Sequence, residues 1–144
     1  MRSKILIVGA CGQIGSELTL ALRQLHGNEA VVASDIKTPT SAELQKGPFF
    51  TLDATNYSEF ERLVKSENIG TVYMMAAMLS GTAEKFPEKA WDLNMSSLFN
   101  VLNLAKANII QHLFWPSSIA VFGKTTPKIN TAYYHGTNNR VWNQ

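Results

Sequence analysis

Residues 4–15 constrain the fold of this chain more than any other stretch. Lys4-Ile5-Leu6-Ile7-Val8 is a short β-branched run that passes directly into Gly9-Ala10-Cys11-Gly12-Gln13-Ile14-Gly15. Such a run, closed by glycine, reads as a buried strand. Beyond the glycines, Ile14, Leu18, Ala21, Leu22 and Leu25 recur at helical spacing. The segment is therefore strand, tight turn, helix, with glycines in a G-x-x-G-x-x-G pattern.

Each glycine in such a turn has a physical reason. One permits unusual backbone angles, a second lets the main chain approach a phosphate, and a third lets helix and strand pack closely. The helix that follows offers free N–H groups and the positive end of its dipole to a pyrophosphate. The same spacing also suits a strand–helix turn that binds nothing, so context has to decide. The motif follows a strand and opens a helix, as a dinucleotide-binding loop requires. Asp35 then follows a second short apolar run at 30–34, 20 residues beyond Gly15. A carboxylate there accepts hydrogen bonds from both adenosine ribose hydroxyls and repels a 2′-phosphate, which favours NAD over NADP. Lys37 is close enough to weaken that preference. Gly9, Gly12, Gln13, Ile14, Gly15, Asp35 and Ile36 form the expected cofactor-binding set. Cys11, inside the loop, reads as a small packed residue rather than a redox group.

The remainder repeats the strand–helix theme. Residues 37–48 are rich in Thr, Ser, Pro and Gly and read as a surface connection, with a helical turn near 42–45. A third strand is predicted at 49–52. Asp53-Ala54 follows it, where a carboxylate either bonds the adenine amino group or closes a turn. Residues 57–66 carry Phe60, Leu63 and Val64 on one helical face, and Asn56 is a suitable cap. A fourth strand is predicted at 71–77, apolar like strands buried on both faces, with Ala76 and Ala77 at its end letting a cofactor lie against the backbone. A long helix is predicted at 87–107 and a fifth strand at 112–116. This order argues for an α/β, doubly wound parallel sheet of the Rossmann type, with about five strands and helices on both faces. Ligands of such sheets bind beyond the carboxyl ends of the strands.

Composition excludes several classes. Apolar residues make up 45% and charged residues 17%, so the chain can build a core. A net charge of +2 leaves no footprint for nucleic acid. The longest apolar run, 72–79, is far short of a membrane span. The apolar run near the N-terminus stops at Gly9, too early for a signal peptide. With one cysteine, no internal disulfide is available, and a cytoplasmic location is expected.

Four stretches carry a family resemblance: KILIVGACGQIGSEL, VVASDI, YMMAAMLSGTAEKFPEKAWDLNMSSLFNVLNLAK and LFWPSSIAVFGKTTPK. They resemble the extended short-chain dehydrogenases/reductases, the group that includes nucleotide-sugar epimerases and dehydratases. Within it the resemblance is nearest to bacterial L-threonine 3-dehydrogenases of the short-chain type. It implies an NAD-linked oxidation of the L-threonine 3-hydroxyl to 2-amino-3-ketobutyrate, by a homodimer. It places the hydroxyl-bonding serine of the fifth strand on Ser118, and puts Ser117 and Ser80 near the nicotinamide or substrate. Asn94 matches the group's helix asparagine, and Ser118 is the expected catalytic residue. Without the resemblance, Ser118 reads as a strand-end cap and Asn94 as a buried side chain bonded to backbone.

The pattern then breaks. The family's general base is the tyrosine of a Tyr-x-x-x-Lys helix, with the lysine lowering its pKa toward working pH. Here Tyr133 and Tyr134 are followed four residues later by Thr137 and Asn138. Residues 124–144 hold no Asp or Glu and no apolar period. Read one base later, the codons allowed for 135–144 permit Met-Glu-Pro-Thr-Thr-Val-Tyr-Gly-Ile-Ser, and a stop codon followed by a purine then supplies Lys. The expectation is a reading-frame shift between about residues 130 and 135. Residues 1–123 would form a truncated NAD-binding domain, incomplete at the fifth-strand edge, and 124–144 a non-native, poorly ordered polar tail. The fifth strand would lack its outer neighbour, and the long helix its partner helix at the dimer interface. The chain is expected to be the NAD-binding part of a threonine-oxidising enzyme, inactive alone. The alternatives are a stand-alone dinucleotide-binding module and a nucleotide-sugar epimerase or dehydratase relative.

Overall fold

The computed structural model describes residues 3–78 and 80–117. The main elements run in the order β1 (Lys4–Val8), α1 (Gln13–His26), β2 (Val31–Asp35), β3 (Phe49–Thr51), α2 (Tyr57–Ser66), β4 (Ile69–Met74), α3 (Ser80–Ala83), α4 (Pro87–Lys106) and β5 (His112–Phe114). The strands form one parallel sheet in the order β3-β2-β1-β4-β5. The chain starts in the middle and works outward in both directions, so the change of direction falls at β1 and β4. Binding crevices of open α/β sheets lie there.

Alternation along the strands sorts side chains to two faces. Leu6, Val8, Val32, Val72 and Met74 pack with Phe60, Leu63 and Val64 of α2 and Val101 and Leu104 of α4. Ile7, Val31 and Ala33 face the other way and are covered by Leu18 and Leu22 of α1. The expected sheet with helices on both faces is present.

Strand ends differ from the sequence expectation, and pairing explains why. β4 was expected at 71–77 but spans Ile69–Met74. Its last ladder partner is Val8, whose carbonyl accepts the Met75 N–H at 2.8 Å. β1 turns away at Gly9, so Ala76 and Ala77 have no strand to pair with and lie in the following loop. β5 is likewise shorter than 112–116, because it pairs only with Thr71–Tyr73 and then meets Pro116, which has no N–H. The expected helical turn at 42–45 sits at Leu44–Lys46. The short helix α3 was not anticipated.

A buried arginine fixes the long connection between β2 and β3. Arg23 of α1 is 4% exposed. Its guanidinium donates to the carbonyls of Val31 at 3.2 Å, Leu44 at 2.7 Å and Pro48 at 2.8 Å. A side chain at Gly47 would strike that guanidinium. Arg23 thus takes the place of a helix between β2 and β3, binding a polar loop to the sheet through its backbone. Arg23→Met removes all three donations, leaving the Pro48 carbonyl with only the Ala33 N–H, and a loss of about 3 kcal/mol is expected. Urea unfolding of the two proteins checks it.

At the other edge, β5 has no outer strand among the described residues. Trp91, Phe99 and Leu102 on the outer side of α4 are exposed. Phe114 stacks on Tyr73 of β4, ring centroids 4.5 Å apart. The expected tail at 124–144 lies outside the described residues. No helix among the described residues is long and apolar enough to cross a membrane.

Candidate cofactor site

Register brings the site together. Val8 pairs with Ser34 on one side and Met74 on the other, so β2, β1 and β4 end level. Whatever follows those strands shares one rim. Gly9 follows β1, Asp35 closes β2, and Met75-Ala76 follow β4.

The glycine loop is held down by β2. The N–H groups of Gly9 and Ala10 both donate to the Ser34 carbonyl, at 2.8 and 2.9 Å. The next N–H, of Cys11, donates to the Asp35 carboxylate at 2.9 Å. The other Asp35 oxygen accepts the Lys37 N–H at 3.0 Å. Gly9 has φ +89°, and a Cβ there would lie 2.5 Å from the Ala76 nitrogen. A Cβ at Gly15 would collide with the Gly9 carbonyl. Gly9 and Gly15 are therefore required by backbone packing. Gly12 differs. It is exposed, and a Cβ there meets only the Gly9 oxygen, at 3.3 Å. Its side of the loop is open at the N-terminus of α1, which has no side-chain cap and no acidic residue in its first turn.

A cleft of about 300 Å³ opens along this rim. Of the expected residues, Gly9, Gly12, Asp35, Ile36, Asp53, Ala54, Ala76 and Ala77 line it. Gln13, Ile14, Gly15, Asn94 and Ser117 do not. The Asn94 carboxamide oxygen instead accepts the Met78 N–H at 2.9 Å, tethering the loop after β4. This is the backbone-bonded alternative for Asn94. Asp53 turns one carboxylate oxygen onto the N–H and hydroxyl of Thr55, at 2.9 and 2.7 Å. It closes a turn and also lines the cleft. Ser118 and the Ser80 side chain lie outside what the structure describes.

The lining also includes Cys11, Lys37, Thr55, Leu93 and Ser97, none of them in the expected binding set. Leu93 and Ser97 come from α4. Its buried positions Ala90, Ser97, Val101 and Leu104 recur at helical spacing, and this period is the signal that marks Ser97 as inward. Burial raises the Cys11 thiol pKa, and the neighbouring Asp35 carboxylate adds to the effect. A protonated thiol fits its packing role: its hydrogen points at the Lys37 carbonyl, 3.5 Å away.

A family model described as NAD dependent epimerase/dehydratase matches residues 5–140. The chain belongs to that family. NAD is the family's cofactor, and the glycine cradle, the uncapped helix and the Asp35 carboxylate fit it. Each oxygen of that carboxylate has spent one acceptor position on a backbone N–H and retains another for a ribose hydroxyl. An uncharacterized epimerase/dehydratase of Staphylococcus saprophyticus is 50% identical over 129 residues, covering 89% of this chain and 40% of that protein. The chain thus spans about two fifths of the length of the curated relatives it matches. Among solved structures, a partial consensus L-threonine 3-dehydrogenase is 52% identical with a TM-score of 0.81, over 86% of this chain and 39% of that one. A GalE-like L-threonine dehydrogenase from Cupriavidus necator, in its holo form, is 50% identical with a TM-score of 0.80, over 86% and 40%.

Proposed function

We propose that this family member is the NAD-binding part of an oxidoreductase that converts L-threonine to 2-amino-3-ketobutyrate. The observation that carries the reading is its 50–52% identity to two threonine dehydrogenase structures. The cleft supports it. The Gly12 side of the loop and the start of α1 receive the pyrophosphate, Asp35 the ribose hydroxyls, and Asp53 with Ala54 the adenine. Gln13, Ile14 and Gly15 position the first turn of α1, and Asn94 holds the loop on which Met78 lies. When bound, NAD accepts a hydride from the carbon that carries the substrate hydroxyl. Ser118 orients that hydroxyl by a hydrogen bond, with Ser80 and Ser117 beside it. The exposed apolar side of α4 suits pairing between two copies of the longer enzyme.

Proton abstraction lacks its usual agent. No tyrosine of the chain is followed four residues later by lysine. With no base, the 144-residue chain binds NAD weakly and turns over little or nothing. The test combines calorimetry with NAD and an assay for NADH formed from L-threonine. NAD binding without threonine-dependent NADH is expected. Steady threonine turnover by this chain would sink the inactivity claim. A shifted frame that soon closes, or that lacks Tyr and Lys, found by sequencing the DNA encoding residues 124–144 and beyond, would sink the frame-shift account.

A further inference from the structure

We propose that the Ser97 hydroxyl is a hydrogen-bonding partner of the cofactor's adenine ring, a role that rests on the NAD reading of the cleft. Ser97 is 1% exposed and lines the cleft. Its hydroxyl is buried without a hydrogen-bond partner among the described residues. Buried hydroxyls normally find partners, because leaving one unpaired is destabilising. A ligand that enters the cleft supplies the missing group.

Position selects the adenine. Three residues along the same helix face, the Asn100 side-chain nitrogen donates to the carbonyls of Ala54 and Thr55, at 2.9 Å each. That bridge clamps this part of α4 against the loop after β3. Ser97 therefore sits at the end of the cleft lined by Asp53, Ala54 and Leu93, away from the start of α1. The glycine loop takes the pyrophosphate and Asp35 the ribose, so the base occupies this end. Adenine offers unprotonated ring nitrogens as acceptors and an amino group as donor. A carboxylate can only accept, from the amino group. A hydroxyl also donates, and so completes recognition of a base that has both.

The test is Ser97→Ala in the 144-residue chain, with two measurements: calorimetric titration with ADP-ribose, and thermal unfolding without ligand. The Kd is expected to rise about fivefold, the worth of one hydrogen bond. The unliganded Tm is expected to hold or rise, because the variant has lost an unpaired polar group. This combination of signs is what a structural hydroxyl does not produce. A Kd within twofold of the parent's overturns the inference. So does a weaker Kd accompanied by a Tm lowered by several degrees, which places the hydroxyl on a helix carbonyl such as that of Leu93. If the parent chain itself fails to bind ADP-ribose, the cofactor reading falls and takes this inference with it. A parent that binds while the variant matches it removes the Ser97 role alone.

Discussion

Gly9→Ala is expected to lower the Tm by about 10 °C and to abolish NAD binding. Two costs add. An L-residue at φ +89° is strained by about 1–2 kcal/mol. The new Cβ would also lie 2.5 Å from the Ala76 nitrogen, inside backbone that cannot swing aside. Forcing that contact apart costs another 1–3 kcal/mol or so. A total near 3 kcal/mol corresponds to roughly 10 °C in a protein of this size. The cleft suffers with the fold, because Gly9 and Ala76 both line it. Circular dichroism melting of the two proteins checks the first claim and calorimetry the second. A Tm unchanged within a degree or two would mean that the turn is not held as described.

Asp35→Ala is expected to weaken NAD binding about 100-fold. The carboxylate is assigned to two ribose hydroxyls, and charge-assisted hydrogen bonds are worth roughly 1.5–3 kcal/mol each. It also receives the Cys11 N–H, so its loss loosens the loop that faces the pyrophosphate. The same change narrows the preference for NAD over NADP. It removes the charge that repels a 2′-phosphate and leaves Lys37 beside the site. Titration with both dinucleotides separates the effects. Equal weakening toward both would assign Asp35 to the loop alone and not to the ribose.

Sequence showed most of the fold because its strong signals are local. The α2 boundaries follow from Asn56, whose side chain accepts the Glu59 N–H, and from the stripe of Phe60, Leu63 and Val64. The glycine loop and Asp35 were legible because each adjoins a strand end. What depends on a distant partner was not. The end of β4 is set by where β1 turns, about 65 residues earlier in the chain. Ala76 and Ala77 therefore read as strand and prove to be loop. Ser97 and Arg23 are polar residues at buried helix positions, and only the packed neighbours show why each is tolerated. Arg23 meets three carbonyls. Ser97 meets none among the described residues, which is why it points to a ligand.

The central place of β1 has a consequence for how the molecule assembles. β1 precedes the other four strands of the sheet in the sequence, yet one of its two neighbours is β4, from which it is separated by α1, β2, β3 and α2. A parallel sheet has no hairpins to form early, and pairing across a long loop is slow. Until β4 docks, β1 is an apolar ribbon with one bare edge, and the loop at its end has no opposite wall. Cofactor capture is thus a late event in folding, and a ribosome-bound chain interrupted before residue 74 would expose its most apolar strand without gaining the means to bind NAD.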